Sequence, residues 1–333
     1  MNKFSIGIFG LSLLLISCQS GKGPVKNESN AVQVKQGLSI HRYEKAIFSL
    51  DPQKLRSGLA GIYPEYSLFL GKDWQDTMNL LRMYNFINDD NIKELYKLVI
   101  KNYPDTAQLQ SDLFNAFKNA TKYFPRLQIP TVYTYVSGLD IDEPVIYSDS
   151  AMVIGLDLYL GKDVAAYRKA GIPEYKISGF TRDRVIPECM LAVAGHLIKT
   201  NEENLSLLDQ MIAAGKTLYF LDQVIPDTKD EFKIGYPAEK LDWAKQNEGN
   251  IWAFIIGNQL LYTSDPKVSG KLMVDAPFTS GLVNESPGRI GEWVGWQIVK
   301  AYMSENSSVT LEQLMDNTDS QSILRGSKYK PRK

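Results

Sequence analysis

A short β-rich segment inside an otherwise helical chain constrains the fold more than any other feature of this sequence. Residues 129–139 (IPTVYTYVSGL) and 143–161 (EPVIYSDSAMVIGLDLYLG) are rich in β-branched and aromatic side chains. Gly138, Pro144 and Ser148–Ser150 interrupt them, as turn residues interrupt strands. The segment predicts two or three strands, the last two joined by a tight turn.

The rest of the chain has the apolar periodicity of amphipathic helices. Residues 40–51 predict a strand or extended start, and Asp51-Pro52 is a helix-start signal. The periodicity predicts helices over 74–100 and 105–124 before the sheet, and over 182–199, 203–223, 238–262, 287–304 and 309–316 after it. No repeat or linker divides residues 40–333. The sequence therefore predicts one helix-rich α+β domain, a small β-sheet enclosed by helices.

The N-terminus predicts export and a lipid anchor. Lys3 precedes an apolar run, and Ser17 and Cys18 follow the run as in the lipobox of bacterial lipoproteins. Residues 1–17 are thus predicted to be a signal peptide and Cys18 the lipidated residue; the alternative is an ordinary signal peptide with an incidental cysteine. Gln19 in place of Asp implies the outer membrane. The absence of an acidic run after Cys18 favours a periplasm-facing anchor. Residues 18–39, polar and rich in Gly, Ser and Asn, predict a flexible tether.

Composition and charge exclude some partners. The formal net charge is −1 and no basic stripe is present, so nucleic acid is not expected as a partner. No second apolar stretch reaches membrane-spanning length. With Cys18 lipidated, Cys189 is the one remaining cysteine; in an apolar helical pattern it is typical of a small buried residue.

Four segments resemble the gliding-motility lipoprotein B (GldB) family in the order expected. They are residues 124–176 (beginning FPRLQIPTVYTYVSGLDIDEP), 211–227 (MIAAGKTLYFLDQVIPD), 241–256 (LDWAKQNEGNIWAFII) and 276–303 (APFTSGLVNESPGRIGEWVGWQIVKAYM). The resemblance implies a cell-envelope lipoprotein of Bacteroidetes, associated with gliding and its linked machinery, without an established catalytic activity. An envelope protein is the partner that it implies.

The family also resembles a distant branch of the zincin metallopeptidases, with a degenerate site. In H-E-x-x-H the two histidines bind zinc and the glutamate is the general base. If His196 is the second histidine, the first falls on Ala192, the base on Val193, and a further glutamate ligand on Ala214. None of these three replacements binds metal, so we expect neither a metal nor a cofactor. Three roles stay open for His196. It is a structural or vestigial residue, it lines a binding cleft, or, as the least favoured alternative, it is catalytic.

Acidic residues offer two further candidate sites. Asp140, Asp142 and Glu143 lie together in one loop, and oxygen ligands of this kind can bind calcium, although the spacing of a known calcium loop is missing. Asp157 interrupts an apolar run, so it must be exposed, paired or functional.

Residues 286–302 combine glycines with large aromatic side chains. Gly288, Gly291 and Gly295 predict the close approach of another backbone. Trp293 and Trp296 predict either core packing or an aromatic wall of a binding surface, and Arg289 could contact a carboxylate.

The sequence as a whole predicts a non-catalytic binding or assembly lipoprotein of the envelope. The alternative is an envelope hydrolase, similar to a peptidase, that acts on peptide or cell-wall substrates. A third class, a protein that binds a soluble ligand, requires a well-formed apolar pocket.

Overall fold

The structure, a computed structural model, describes residues 37–201 and 205–331. These residues fall within one compact unit. The predicted signal peptide, Cys18 and most of the predicted tether lie outside the described residues. The anchor and the domain boundary at residue 40 therefore stay predictions.

The sheet has four strands in the described residues, in the order β1-β2-β4-β3. The strands are β1 (Ile40–Arg42), β2 (Thr131–Tyr135), β3 (Val145–Tyr147) and β4 (Ala151–Gly155). β1 and β4 both run parallel to β2, whereas β3 pairs antiparallel with β4 and forms one edge. The turn between β3 and β4 is closed by the Ser148 amide, which donates to the Ala151 carbonyl at 2.8 Å. The strand prediction, including this tight turn, is confirmed.

Among the described residues, five α-helices lie between the first and second strands. They are α1 (Tyr43–Phe48), α2 (Leu55–Leu70), α3 (Thr77–Asn88), α4 (Asp90–Asn102) and α5 (Ala107–Tyr123). Aspartate side chains cap several starts: Asp76 accepts from the Met78 amide at 2.8 Å, and Asp89 accepts from the Asn91 amide at 2.8 Å. Asp89 also divides the predicted 74–100 helix into α3 and α4.

Two apolar cores lie against the sheet. A smaller one joins α1, α2 and α3, and Tyr133 and Tyr135 of β2 pack against it. The main core contains Val132 and the buried faces of α4 and α5. Because successive strand residues point to opposite faces, β2 contributes to both cores.

Helices after the sheet make up the rest of the main core. They are α6 (Ala165–Lys169), α7 (Glu174–Ile177), α8 (Val185–Leu197), α9 (Leu207–Val224), α10 (Asp230–Ile234), α11 (Ala238–Gln246), α12 (Glu248–Gly257), α13 (Pro266–Met273), α14 (Ile290–Glu305), α15 (Leu311–Asp316) and α16 (Ser320–Ser327). The prediction of one helix over 238–262 is wrong, because Asn247 (φ −110°, ψ 15°) separates α11 from α12 and the second helix ends at Gly257. The short helices α6, α7, α10, α13 and α16 were not predicted. The strand or extended start predicted over 40–51 holds only for β1, because α1 follows it directly.

Helices α9 and α14 cross at glycine, as the sequence predicts. A Cβ atom on Gly295 would lie 1.7 Å from the Met211 carbonyl oxygen, and one on Gly215 would lie 2.3 Å from the Gly295 carbonyl. A Cβ on Gly291 would meet the Met273 sulfur at 2.4 Å. The backbones therefore touch where a side chain would otherwise separate them, and the predicted close approach is confirmed. The helix-rich α+β fold class is confirmed, while its likeness to the zincins stays a prediction.

Candidate functional site

His196 lies in the last turn of α8, where its side chain is 48% exposed. Its Nε2 atom is 3.0 Å from Oδ1 of Asp149, which lies in the turn between β3 and β4. The imidazole also packs edge-to-face on Tyr147, with ring centroids 5.6 Å apart. His196 thus joins the end of a helix to the edge of the sheet.

His196 lines a cleft of about 830 Å³. The lining residues come from the segment before β2, the β3–β4 turn, the end of α8 and α15: Phe124, Pro125, Arg126, Leu127, Gln128, Asp149, His196, Leu197, Lys199, Glu312 and Asp316. Most of the side chains are polar or charged. The cleft is large enough for a peptide segment or a small ligand, and its lining is not the apolar one that a buried small molecule prefers.

The end of α8 and the end of α15, which both line the cleft, are joined to each other. The Lys199 amide donates to the Met315 carbonyl at 3.0 Å, and Lys199 Nζ lies 2.9 Å from Asp316 Oδ1. This ion pair is exposed, so it contributes little stability of its own. The hydrogen bond between the Lys199 amide and the Met315 carbonyl is therefore the contact that holds these two helix ends together.

Two further charges in the cleft have no partner among the described residues. Arg126 and Glu312 are exposed, and neither makes a hydrogen bond or ion pair in the part of the chain that the structure describes. Among the residues that the structure describes, the cleft therefore holds two ion pairs, His196–Asp149 and Lys199–Asp316, and two unpaired charges of opposite sign. Such a surface suits a polar ligand that carries charges of both signs.

The hydroxyl of Tyr147 is buried beside His196 without a hydrogen-bond partner. Burial raises the pKa of Tyr147 to about 12, and the nearby Asp149 carboxylate adds to the rise. The phenol therefore stays neutral and remains a donor at physiological pH.

Three of the four positions that the zincin resemblance predicts carry no ligating side-chain atoms. Ala192 is half-buried and Val193 fully buried on α8, and Ala214 is half-buried on α9. Of the four predicted positions, His196 is the one that lines the cleft. The residues 37–201 and 205–331 contain no group of three or more His, Cys, Asp or Glu that could hold a metal ion.

Asp157 is buried, and its carboxylate binds the start of the acidic loop, the segment that carries Asp140, Asp142 and Glu143. Its carboxylate accepts from the Ser137 amide at 2.8 Å, from the Ser137 hydroxyl at 3.0 Å and from the Leu139 amide at 2.8 Å. Leu139 has φ 66°, a strained conformation for a residue with a branched side chain. Burial raises the pKa of Asp157, and the two backbone hydrogen bonds oppose that rise. Asp157 therefore has a structural role, and it does not contribute to a binding surface.

In the acidic loop itself, Asp140 bonds locally. Its Oδ1 accepts from the Asp142 amide at 3.3 Å, and its own amide donates to the Ser137 hydroxyl at 3.0 Å. This is the pattern of a solvated Asx turn.

Trp293 and Trp296 are core residues, with 2% and 0% of their surface exposed. The indole Nε1 of Trp296 donates to Asp222 Oδ2 at 2.8 Å, and Lys233 Nζ donates to the other oxygen of Asp222 at 2.8 Å. The two rings cannot form the aromatic wall that was the alternative to core packing. Large apolar area drives such rings inward once a polar partner is available for the N–H group.

Arg289 does contact carboxylates, as predicted, but both belong to this protein and not to a partner. Its guanidinium lies 3.3 Å from Asp275 and 2.8 Å from Glu292, and it donates to the Ile234 carbonyl at 3.2 Å. Arg289 (φ 51°) is the residue before α14. With these partners it fixes the start of α14 and has little capacity left for another protein.

Lys216 was missed by the sequence reasoning. It is 3% exposed on α9, and its Nζ donates to the Asn317 carbonyl at the end of α15. Burial lowers the pKa of Lys216 to about 8, although the Asp316 carboxylate opposes the change. A lysine next to Gly215 in an apolar helix was the signal that could have identified it.

The described helices include none that is both long and apolar enough to span a bilayer. No curated protein and no solved structure matches this chain. The family model described as gliding motility protein GldB matches residues 24–331, nearly the whole length of the fold. The chain with the His196 cleft therefore belongs to the gliding motility protein GldB family.

Proposed function

We propose that this protein is a non-catalytic binding or assembly lipoprotein of the cell envelope. In this proposal Cys18 carries the lipid, the protein faces the periplasm from the outer membrane, and it serves the gliding machinery or machinery linked to it. Family membership supports the association with gliding. The lipobox supports the anchor.

The observation that carries the binding role is the cleft at His196. It is open, it is lined by charges of both signs, and Arg126 and Glu312 in it have no partner among the described residues. Unpaired charges on a preformed concave surface favour a polar partner, because complementary charges give specificity and speed association. We propose that a peptide segment of an envelope protein binds there.

The test is site-specific crosslinking from the cleft in cells. A photoreactive residue at exposed position 128 should give a discrete adduct with one protein. Asp149→Asn and Arg126→Ala should each reduce its yield, because they remove charges that line the cleft. The matched control is Arg168→Ala, which breaks an exposed ion pair with Glu174 outside the cleft. No adduct, or equal yields in all variants, would rule the proposal out.

The alternative, an envelope hydrolase, rests on one observation. The His196–Asp149 pair has the geometry in which a carboxylate orients an imidazole that acts as a base. Cys189 does not complete it as a nucleophile, because the residue is buried and burial raises the pKa of its thiol well above the usual range. Such a hydrolase would have to activate water. Loss of peptide or cell-wall cleavage in His196→Gln, with an unchanged melting curve, would favour this alternative.

A further inference from the structure

Strand β3 forms one edge of the sheet, so one side of its backbone has no strand beside it among the described residues. In an antiparallel pair, residues that exchange hydrogen bonds with the neighbouring strand alternate with residues whose N–H and C=O groups point away from it. Ser148 and Ala151 exchange two backbone hydrogen bonds, of 2.8 and 3.3 Å, and the Gly155 amide donates to the Pro144 carbonyl at 3.0 Å. Every second residue of this segment, counted from Pro144, therefore bonds to β4.

The outward-facing residues of β3 are Val145 and Tyr147. Ile146 lies opposite Val153 and occupies the bonded position between them. None of the residues 37–201 and 205–331 forms a hydrogen bond to the outward N–H and C=O groups of Val145 and Tyr147. Two N–H and two C=O groups are thus in place for a further strand, and an extended backbone is the partner that can bond to all four.

This edge lacks the features that usually prevent pairing with another chain. Native edge strands commonly carry charged side chains, prolines or bulges. The three residues of β3 are Val, Ile and Tyr, and they pair with β4 without a bulge. The Val145 and Tyr147 side chains pack against the main core, whereas Ile146 points to the other face and is 46% exposed. The edge therefore offers free backbone groups together with an apolar side chain.

The free edge leads to the His196 cleft. β3 ends at Tyr147, and Asp149, two residues further on, lines the cleft and lies 3.0 Å from His196. A segment paired with β3 would run past Tyr147 and into the cleft. Arg126 and Glu312, which have no partner in the described part of the chain, line that cleft.

We infer that the partner segment binds as a further strand on the free edge of β3 and continues from there into the His196 cleft. The inference rests on the proposed binding role, and it adds the conformation of the partner and a second contact surface. The fitting partner is an extended segment with an apolar side chain next to Ile146 and charges of both signs at the cleft. A second copy of this chain fits less well, because its own β3 ends at the tight turn before β4 and does not extend into the cleft.

Amide hydrogen exchange tests the inference residue by residue. In the free protein the amides of Val145 and Tyr147 should exchange at least about tenfold faster than the amide of Ile146, which bonds to β4. In the purified adduct from position 128 both should slow by about tenfold or more, because each gains a hydrogen bond. If both amides exchange as fast in the adduct as in the free protein, the inference is wrong while the proposed binding role stands. If no adduct forms, both fail.

A proline substitution tests the same backbone groups in cells. Val145→Pro removes an outward N–H group and keeps the bonds between β3 and β4, because proline is tolerated where the N–H group faces away from the ladder. Val145→Ala, which keeps the N–H group, is the matched control. The yield of the adduct from position 128 should fall at least about threefold in Val145→Pro and stay near the wild-type yield in Val145→Ala.

Equal yields in these two variants, with unchanged melting curves, would overturn the inference. If Val145→Pro does not fold, the exchange measurement on the wild-type adduct decides. Protection of the Val145 and Tyr147 amides that appears in the free protein as its concentration rises would assign the edge to a second copy, and it would overturn the inference as well.

Discussion

Lys216 makes the stability of this protein depend on pH in a way that a single substitution can isolate. Burial lowers its pKa to about 8 in the fold, from the ordinary lysine value of 10.5. Between these two values the unfolded chain binds more protons than the folded one, so this lysine makes the free energy of unfolding rise with pH. At neutral pH the folded protein carries the full cost of a buried ammonium group. The shift corresponds to about 3 kcal/mol, most of which is relieved between pH 7 and pH 10.

The assay is denaturant unfolding of the wild type and of Lys216→Met at a series of pH values. Methionine fills a similar volume and does not titrate, so the wild type should gain about 2–3 kcal/mol relative to the variant between pH 7 and pH 10. Buried tyrosines and Cys189, whose pKa values the fold raises, also make stability depend on pH, but they are common to both proteins and cancel in the difference. Lys118→Met, at an exposed lysine of α5 that makes no ion pair among the described residues, is the matched control for the loss of a lysine. Parallel curves for the wild type and Lys216→Met would refute the reasoning.

The remaining predictions concern packing, anchoring and metal. Trp293→Ala should lower the free energy of unfolding by about 3–5 kcal/mol, because the buried ring leaves a cavity; a loss below 1 kcal/mol in denaturant unfolding would contradict its place in the core. Gly295→Ala should destabilise by about 1–3 kcal/mol or more, since its Cβ meets the Met211 carbonyl, while Gly61→Ala, with open space around it, should stabilise by up to about 1 kcal/mol. Cys18→Ala should abolish metabolic lipid labelling and release the protein from the membrane fraction; persistent attachment would reveal another anchor. Purified protein should be free of zinc and keep its melting temperature in EDTA, and one tightly bound zinc per chain would reverse the view of a degenerate site.

The local elements were predictable because their signals are local. Alternating β-branched and aromatic residues identified β2 to β4, and apolar periodicity identified α5, α8, α9 and α14. The short helices were missed because a helix of four to eight residues holds too few turns to show a period. The prediction of one helix over 238–262 failed because apolar residues on both sides of Asn247 fit one helical period, while Asn247 itself leaves the helical conformation.

The candidate site was less predictable. Asp157 was expected to be exposed, paired or functional, and the structure shows it paired with the amides of Ser137 and Leu139. The sequence did not decide whether Trp293 and Trp296 lie in the core or on a binding surface, because a tryptophan ring is suited to either place. Arg126 and Glu312 carried no pattern that distinguishes them from other surface charges, whereas Lys216 was marked by its place next to Gly215 in an apolar helix.

The sequence by itself determined the fold class, the strand segment and the glycines that bring α14 against α9, because each of these follows from residue type and spacing along the chain. The family followed from the resemblance of whole segments to known members. The pairing of His196 with Asp149, the cleft around them and the burial of Lys216 were decided by the tertiary structure. The physical reason is that a histidine in the last turn of an apolar helix can point into the core or out of it. Which direction it takes depends on how far the helix extends beyond the elements packed against it, and that depends on residues distant in the chain.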